Sequence, residues 1–202
     1  MKKTLFLIAA GIMMIATAHA QNSVVEAEQH QQETKAEKFL KECDFYRTDT
    51  YVEMEESGIR AWAKVTTNLV TNEKIGYCYF MTESKEALAM FTGGAAGGSS
   101  KPLGYLDMDE IDDMIKALNK LVEISKQKNP NEYSVDFITK AGINIHYNSE
   151  DNKVVYSKKW YYVNEYGVKG YYTIYSPTAS IKAVTKTITM LEKAKTIINQ
   201  NL

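Results

Sequence analysis

Twice along this chain the spacing of apolar residues changes from two to about three and a half. That double switch limits the fold more than any other feature. In "IRAWAKVTTNLV" (59–70), Ile59, Ala61, Ala63, Val65, Thr67 and Leu69 point one way. Arg60, Lys64, Thr66 and Asn68 point the other, with Trp62 the exception, and this period of two is that of a half-buried strand. "TNEK" at 71–74 breaks the run, and "IGYCYFMTE" starts a second strand of the same hairpin. An earlier strand is expected near Thr50–Glu55 and a short one at Leu103–Leu106. Then Ile111, Met114, Ile115, Leu118, Leu121 and Val122 form a helical stripe, ended by Asn129 and Pro130.

The second half follows the same order. "YSVDFI", "GINIHYN", "KVVYSKKWYYV" and "KGYYTIY" read as four strands, and a helix follows from about Thr178 with Pro177 near its first turn. Its stripe is Ile181, Val184, Ile188, Leu191 and Ile198. A shift of 70 residues lays Val65 on Val135, Ile75 on Ile145, Tyr77 on Tyr147 and Tyr105 on Tyr175. The expectation is an α+β fold: antiparallel sheet with helices packed against it, in two strands-then-helix repeats at about 46–128 and 131–202. An N-terminal helix at 23–43, opened by a capping box of Ser23 and Glu26, precedes them. This order of elements resembles the layout of Whirly-type single-strand DNA binders. The resemblance of layout implies single-strand nucleic-acid binding as one alternative, without a shared motif.

The first twenty residues carry Lys2 and Lys3, an uncharged run from Thr4 to Ala18, and "AHAQ", an A-x-A cleavage pattern. The run is too short to span a bilayer. Residues 1–20 read as a signal peptide, leaving 21–202 as a single exported domain, periplasmic or secreted. Loss of Lys2 and Lys3 changes the formal charge from −1 to −3. No basic excess remains to release counterions from phosphates, so no nucleic-acid partner is expected on charge. Two cysteines, Cys43 and Cys78, are either a disulfide or two separate buried thiols.

The stretch "FTGGAAGGSSKPLGYLDMDEID" (91–112) looks most like a site. Its glycines do not form a phosphate cradle, because Lys101 follows Ser99 and Ser100 and is itself followed by Pro102. Gly93–Ser100 reads as a flexible connection able to adjust to a partner. Asp107, Asp109, Glu110, Asp112 and Asp113 fail the calcium-loop spacing, since Ile111 and Leu118 fall where ligands belong. Asp107 capping a helix, with Glu110 reaching back, explains them on an exposed first turn. His146 falls on the polar side of its strand and has no nucleophile motif near it. No metal or cofactor is expected.

Aromatic residues crowd 156–175. Alternation sends Tyr156, Trp160 and Tyr162 to one side of their strand and Tyr161 to the other, while Tyr171 and Tyr175 oppose Tyr172. One set fills the core, and the other offers contact area with a polar tip. The favoured reading is a non-enzymatic binding module of the cell envelope, contacting a protein or glycan through Trp160, Tyr161, Tyr166 and Tyr172. The alternative is an extracytoplasmic hydrolase with a carboxylate-based site.

Overall fold

Alternation becomes sheet where it is strongest. The computed structural model describes residues 33–84, 99–127, 131–163 and 166–202. Within them lie two antiparallel sheets and three helices, a mixed α+β architecture. Sheet 1 runs β1 (Tyr46–Glu56), β2 (Ile59–Asn68), β3 (Lys74–Ser84), β4 (Ser99–Asp107) in that order, each strand hydrogen-bonded to the next. Sheet 2 runs β5 (Ser134–Ile138), β6 (Ile143–Asn148), β7 (Lys153–Val163), β8 (Lys169–Tyr175), and the two-residue β9 (Ala179–Ser180) adds to β7 at Lys153 and Val154. Helix α1 (Lys35–Glu42) precedes sheet 1, α2 (Met108–Ile124) follows β4, and α3 (Ile181–Asn201) ends the chain. No described helix is long and apolar enough to cross a membrane.

Each long helix is tied to the sheet of the other half. α3 runs along sheet 1: Lys186 meets Glu56 at one end, and Lys74 Nζ donates to the Asn201 carbonyl at the other. Gly76 is what lets it approach, because a Cβ there would lie 2.2 Å from Ile198 Cγ2. α2 is tied to sheet 2 in the same manner. Glu110 accepts the Ala141 N–H in the β5–β6 turn, and the Tyr133 hydroxyl donates to the Ile124 carbonyl at the far end. The stripes Ile111, Met114, Leu118, Leu121 and Val184, Ile188, Leu191, Ile198 are buried with Ala61, Val65, Phe80, Ile143, Ile145 and Tyr156 in one apolar cluster. At about 25 cal/mol per Å² of apolar area removed from water, such a shared core is the main stabilising contribution.

Several boundaries differ from expectation. The Ser23–Glu26 capping box lies outside the described residues, and the helix seen is opened instead by Thr34 and Glu37, a second capping box. β1 starts at Tyr46, not Thr50, because it pairs along almost all of β2. β4 starts at Ser99, so Ser99 and Ser100 belong to a strand and not to the expected loop; residues 93–98 lie outside the described chain. α3 starts at Ile181, later than expected, because Ser180 Oγ accepts the Ala183 N–H and caps it. Pro177 packs over Gly58 instead of opening the helix.

Candidate functional site: an aromatic strand pair

The far ends of β7 and β8 outrun the rest of sheet 2. β6 pairs with β7 only through Lys158, so Lys159–Val163 has only β8 beside it among the described strands. Antiparallel register puts Lys159 opposite Thr173, Tyr161 opposite Tyr171 and Val163 opposite Lys169 on the outward face. Tyr161 and Tyr171 meet with ring centroids 6.0 Å apart, and Lys159 Nζ lies 5.3 Å over the Tyr171 ring. Tyr171, Tyr172 and Tyr175 are 57%, 53% and 55% exposed, and Tyr166 in the turn is 81% exposed.

The four residues expected to bind do not share one surface. Trp160 lies on the core-facing side, packs against the buried cluster, and donates its Nε1–H to the Pro102 carbonyl at 3.2 Å. Tyr172 pairs with it across the strands. Tyr161 faces the other way and is partly buried beside Tyr171. Tyr166 sits at the turn. The structure thus groups Tyr161 with Tyr171, Tyr175 and Lys159. Strand alternation had already put Tyr171 and Tyr175 opposite Tyr172; the role of Lys159 beside them was not read from sequence.

Four of the five acids at 107–113 tie the start of α2 to other elements, and the fifth, Asp113, pairs within the helix. Asp107 Oδ2 and Oδ1 accept the N–H groups of Lys35 and Ala36 at 2.6 and 3.0 Å. Glu110 accepts from Asp107 N–H and Ala141 N–H at 3.2 and 2.8 Å. Asp109 lies between Lys35 and Lys140, Asp112 pairs with Lys195, and Asp113 with Lys116. The helix-start reading holds for Glu110 reaching back to Asp107, but the turn is not exposed: Asp107 and Glu110 are buried. Burial pushes the Glu110 carboxyl above the usual glutamate range, and the two backbone donors pull it part of the way back.

Lys158 is the other buried charge, 4% exposed on the core side of β7. Its Nζ rests 4.3 Å over the Trp160 ring and 2.8 Å from where a Cβ on Gly104 would stand. Gly104, at φ +136°, is therefore required for both its backbone and its open space. Burial pushes the Lys158 ammonium below the ordinary lysine value, with Glu37 and Glu110 opposing.

His146 is not drawn into this cluster. Its Nδ1 lies 3.0 Å from Asp136 Oδ1, and its cross-strand partners are Asp136 and Val155. Cys43 and Cys78 are separate buried free thiols; burial pushes the Cys78 thiol up to about 12. Among the described residues no group of three or more His, Cys, Asp or Glu could hold a metal ion.

Sequence reading missed a second aromatic row. Trp62, the exception to alternation in β2, lies opposite Tyr79, which lies opposite Tyr105. Their rings follow one another at 5.9 and 5.0 Å, and Lys64 Nζ lies 5.1 Å over Tyr79. The signal was present, since Trp62 falls on the same parity as Arg60 and Lys64. These rings are partly buried, and burial pushes the Tyr105 hydroxyl up to about 12. They are less available than the β8 tyrosines. Comparison of the chain with protein families, curated proteins and solved structures finds no match.

Proposed function

We propose that the protein is an exported binding module of the cell envelope, and that the β7–β8 aromatic strand pair is its contact surface. One observation carries the reading: Tyr166, Tyr171, Tyr172 and Tyr175 are each more than half exposed on a single strand pair. Exposed tyrosines supply contact area at low conformational cost and keep a hydroxyl for the partner. The charge-free run and A-x-A pattern in residues 1–20 support export, with cleavage after Ala20. The succession of four strands and a helix in each half supports an internal repeat at about 46–128 and 131–202.

A hydrolase draws no support from the acids: Asp107, Asp109, Glu110 and Asp112 are each engaged with lysines or backbone N–H groups of other elements, and Asp113 with Lys116 of its own helix. Single-strand nucleic-acid binding keeps only the layout and the mixture of lysine and tyrosine at the strand pair.

The test is retention in the envelope of the producing cell. Tyr171→Ser with Tyr175→Ser removes two exposed rings from the face of β8 opposite the side on which Trp160 packs. The proposal expects the variant to keep its unfolding midpoint and to move from the envelope fraction to the soluble one. Unchanged retention of a folded variant, or a mature N-terminus other than Gln21, contradicts it.

A further inference from the structure

We infer that the outward face of sheet 1 is a second binding site, where the row Trp62–Tyr79–Tyr105 takes an uncharged oligosaccharide. The row lies on other strands than the β7–β8 surface, and neither assignment depends on the other. Trp62 of β2 stands opposite Tyr79 of β3, which stands opposite Tyr105 of β4, and Glu53 of β1 continues the line beside Trp62. Ring centroids follow at 5.9 and 5.0 Å, close to the roughly 4.8 Å between neighbouring strands. One ring per strand sets a step on which successive sugar units can stack.

The polar tips of these rings point to a ligand. Tyr77, Tyr133, Tyr147 and Trp160 use their hydroxyl or indole N–H inside the fold, on Thr66, Ile124, Asn152 and Pro102. The Trp62 N–H and the Tyr79 and Tyr105 hydroxyls hydrogen-bond to no described residue, and the three side chains are half-buried, neither sealed nor fully open. Ring faces carry a negative quadrupole that attracts the weakly positive C–H groups of a pyranose. The tips supply donors and acceptors for its hydroxyls. The platform is fixed in advance. Tyr77 meets Tyr105 edge-on at 5.3 Å, and its hydroxyl joins Thr66 at 3.1 Å. Rings held in this way lose little side-chain freedom on binding.

Charge and topology select the class of ligand. Lys64 Nζ lies 5.1 Å over the Tyr79 ring, so the place an ammonium ligand would take is already filled by a like charge. Glu53 ends the row, and Arg60 is paired with Glu55 at 3.0 Å one register line away. No basic excess is left there for a nucleic-acid backbone. β2 and β3 lie inside the sheet with their backbone groups committed to both neighbours, so a polypeptide cannot add to them as a strand. An uncharged saccharide stacks on the rings while its hydroxyls accept from Lys64 and donate to Glu53.

The test is calorimetric titration of the full chain with cellohexaose, maltohexaose and mannohexaose, and with hexagalacturonate as an acidic probe. Saturable binding of at least one neutral hexamer is expected, roughly tenfold or more tighter than that of hexagalacturonate. Trp62→Ala should weaken it by about tenfold or more, as loss of a central aromatic contact does. Tyr79→Phe and Tyr105→Phe keep both rings and remove only a hydroxyl, so they remain informative if Trp62→Ala unfolds; each should weaken binding severalfold. Tyr171→Ser with Tyr175→Ser should leave hexamer binding unchanged.

Failure of all three neutral hexamers to bind overturns the inference, as does tighter binding of hexagalacturonate. Binding that is indifferent to Tyr79→Phe and Tyr105→Phe, or that is lost with Tyr171 and Tyr175, also overturns it by placing the ligand elsewhere. If no hexamer binds while envelope retention still depends on Tyr171 and Tyr175, the sheet 1 platform falls and the β7–β8 surface stands. Hexamer binding through Trp62 with retention indifferent to those tyrosines is the reverse result.

Discussion

The Asp107 carboxylate grips the start of α1 by two N–H groups at once, Lys35 at 2.6 Å and Ala36 at 3.0 Å. Thr34 Oγ1 takes the next donor, Glu37 N–H, at 3.1 Å. A helix leaves its first N–H groups without internal partners, so this residue, distant in sequence, completes the cap. α1 buries only Ala36 fully, so its attachment depends on that polar contact. Asp107→Ala should therefore cost about 0.5–2 kcal/mol, the usual range for a lost cap. Faster amide exchange across 35–42, with the sheets unchanged, is the expected signature. An exchange rate in α1 equal to the parent's would contradict it.

The close approach of α3 to sheet 1 gives a second prediction. Gly76→Ala puts a methyl group 2.2 Å from Ile198 Cγ2 and 3.3 Å from both Leu202 methyls. Overpacking of this kind costs about 1–3 kcal/mol. Ile198→Ala alone is destabilising because it leaves a cavity. Combined with Gly76→Ala, it should cost less than the sum of the two, since the added methyl fills part of the space. Urea unfolding of the four proteins measures the coupling; strict additivity would mean that α3 does not bear on Gly76.

These two contacts show what can be read from a sequence and what cannot. Periodicity located β2, β3, β6, α2 and α3, because alternation and helical stripes are local consequences of burial on one face. The pairing of Glu110 with the Asp107 N–H was legible too, since a capping box spans three residues. That the Asp107 side chain serves α1 was not, because a hydrogen bond across 71 or 72 residues leaves no local pattern. Lys158 stands in "KKW", where no local pattern marks it for burial, and its burial depends on Gly104 of another sheet. The aromatic pair Tyr161–Tyr171 was half legible: parity assigned each residue a face, but only the register between β7 and β8 sets them side by side.

Lys158 supplies a pH dependence. Its folded value is lowered by burial below the ordinary 10.5, so between those two values the unfolded chain holds the extra proton. Stability therefore rises with pH across that window and gains nothing from this group beyond 10.5. Lys158→Met keeps the stem and removes the charge. It should remove that rise, and since the Cys78 thiol and the Tyr105 hydroxyl are held protonated up to about 12 in the fold and oppose it, the urea midpoint of the variant should fall relative to the parent's as pH rises over the interval. An unchanged difference between the two proteins across the interval would place the dependence elsewhere.

Cys43 and Cys78 allow a simple count. In the native protein Cys78 should resist a thiol reagent, since it is fully buried and its thiol is held at about 12. Unfolded in urea without reductant, the chain should yield two reactive thiols. A yield of none would show a disulfide and contradict the buried free thiols of this structure.

Tyrosine nitration in the presence of the cell envelope tests the central claim most directly. Among the described residues, Tyr166 in the turn and Tyr171, Tyr172 and Tyr175 of β8 are exposed, as are Tyr46 and Tyr51 of β1. Addition of an envelope fraction should protect the β8 tyrosines and leave Tyr46 and Tyr51 open to the reagent. Protection of Tyr46 and Tyr51 in their place, or of none of them, would contradict the assignment of the β7–β8 pair as the contact surface.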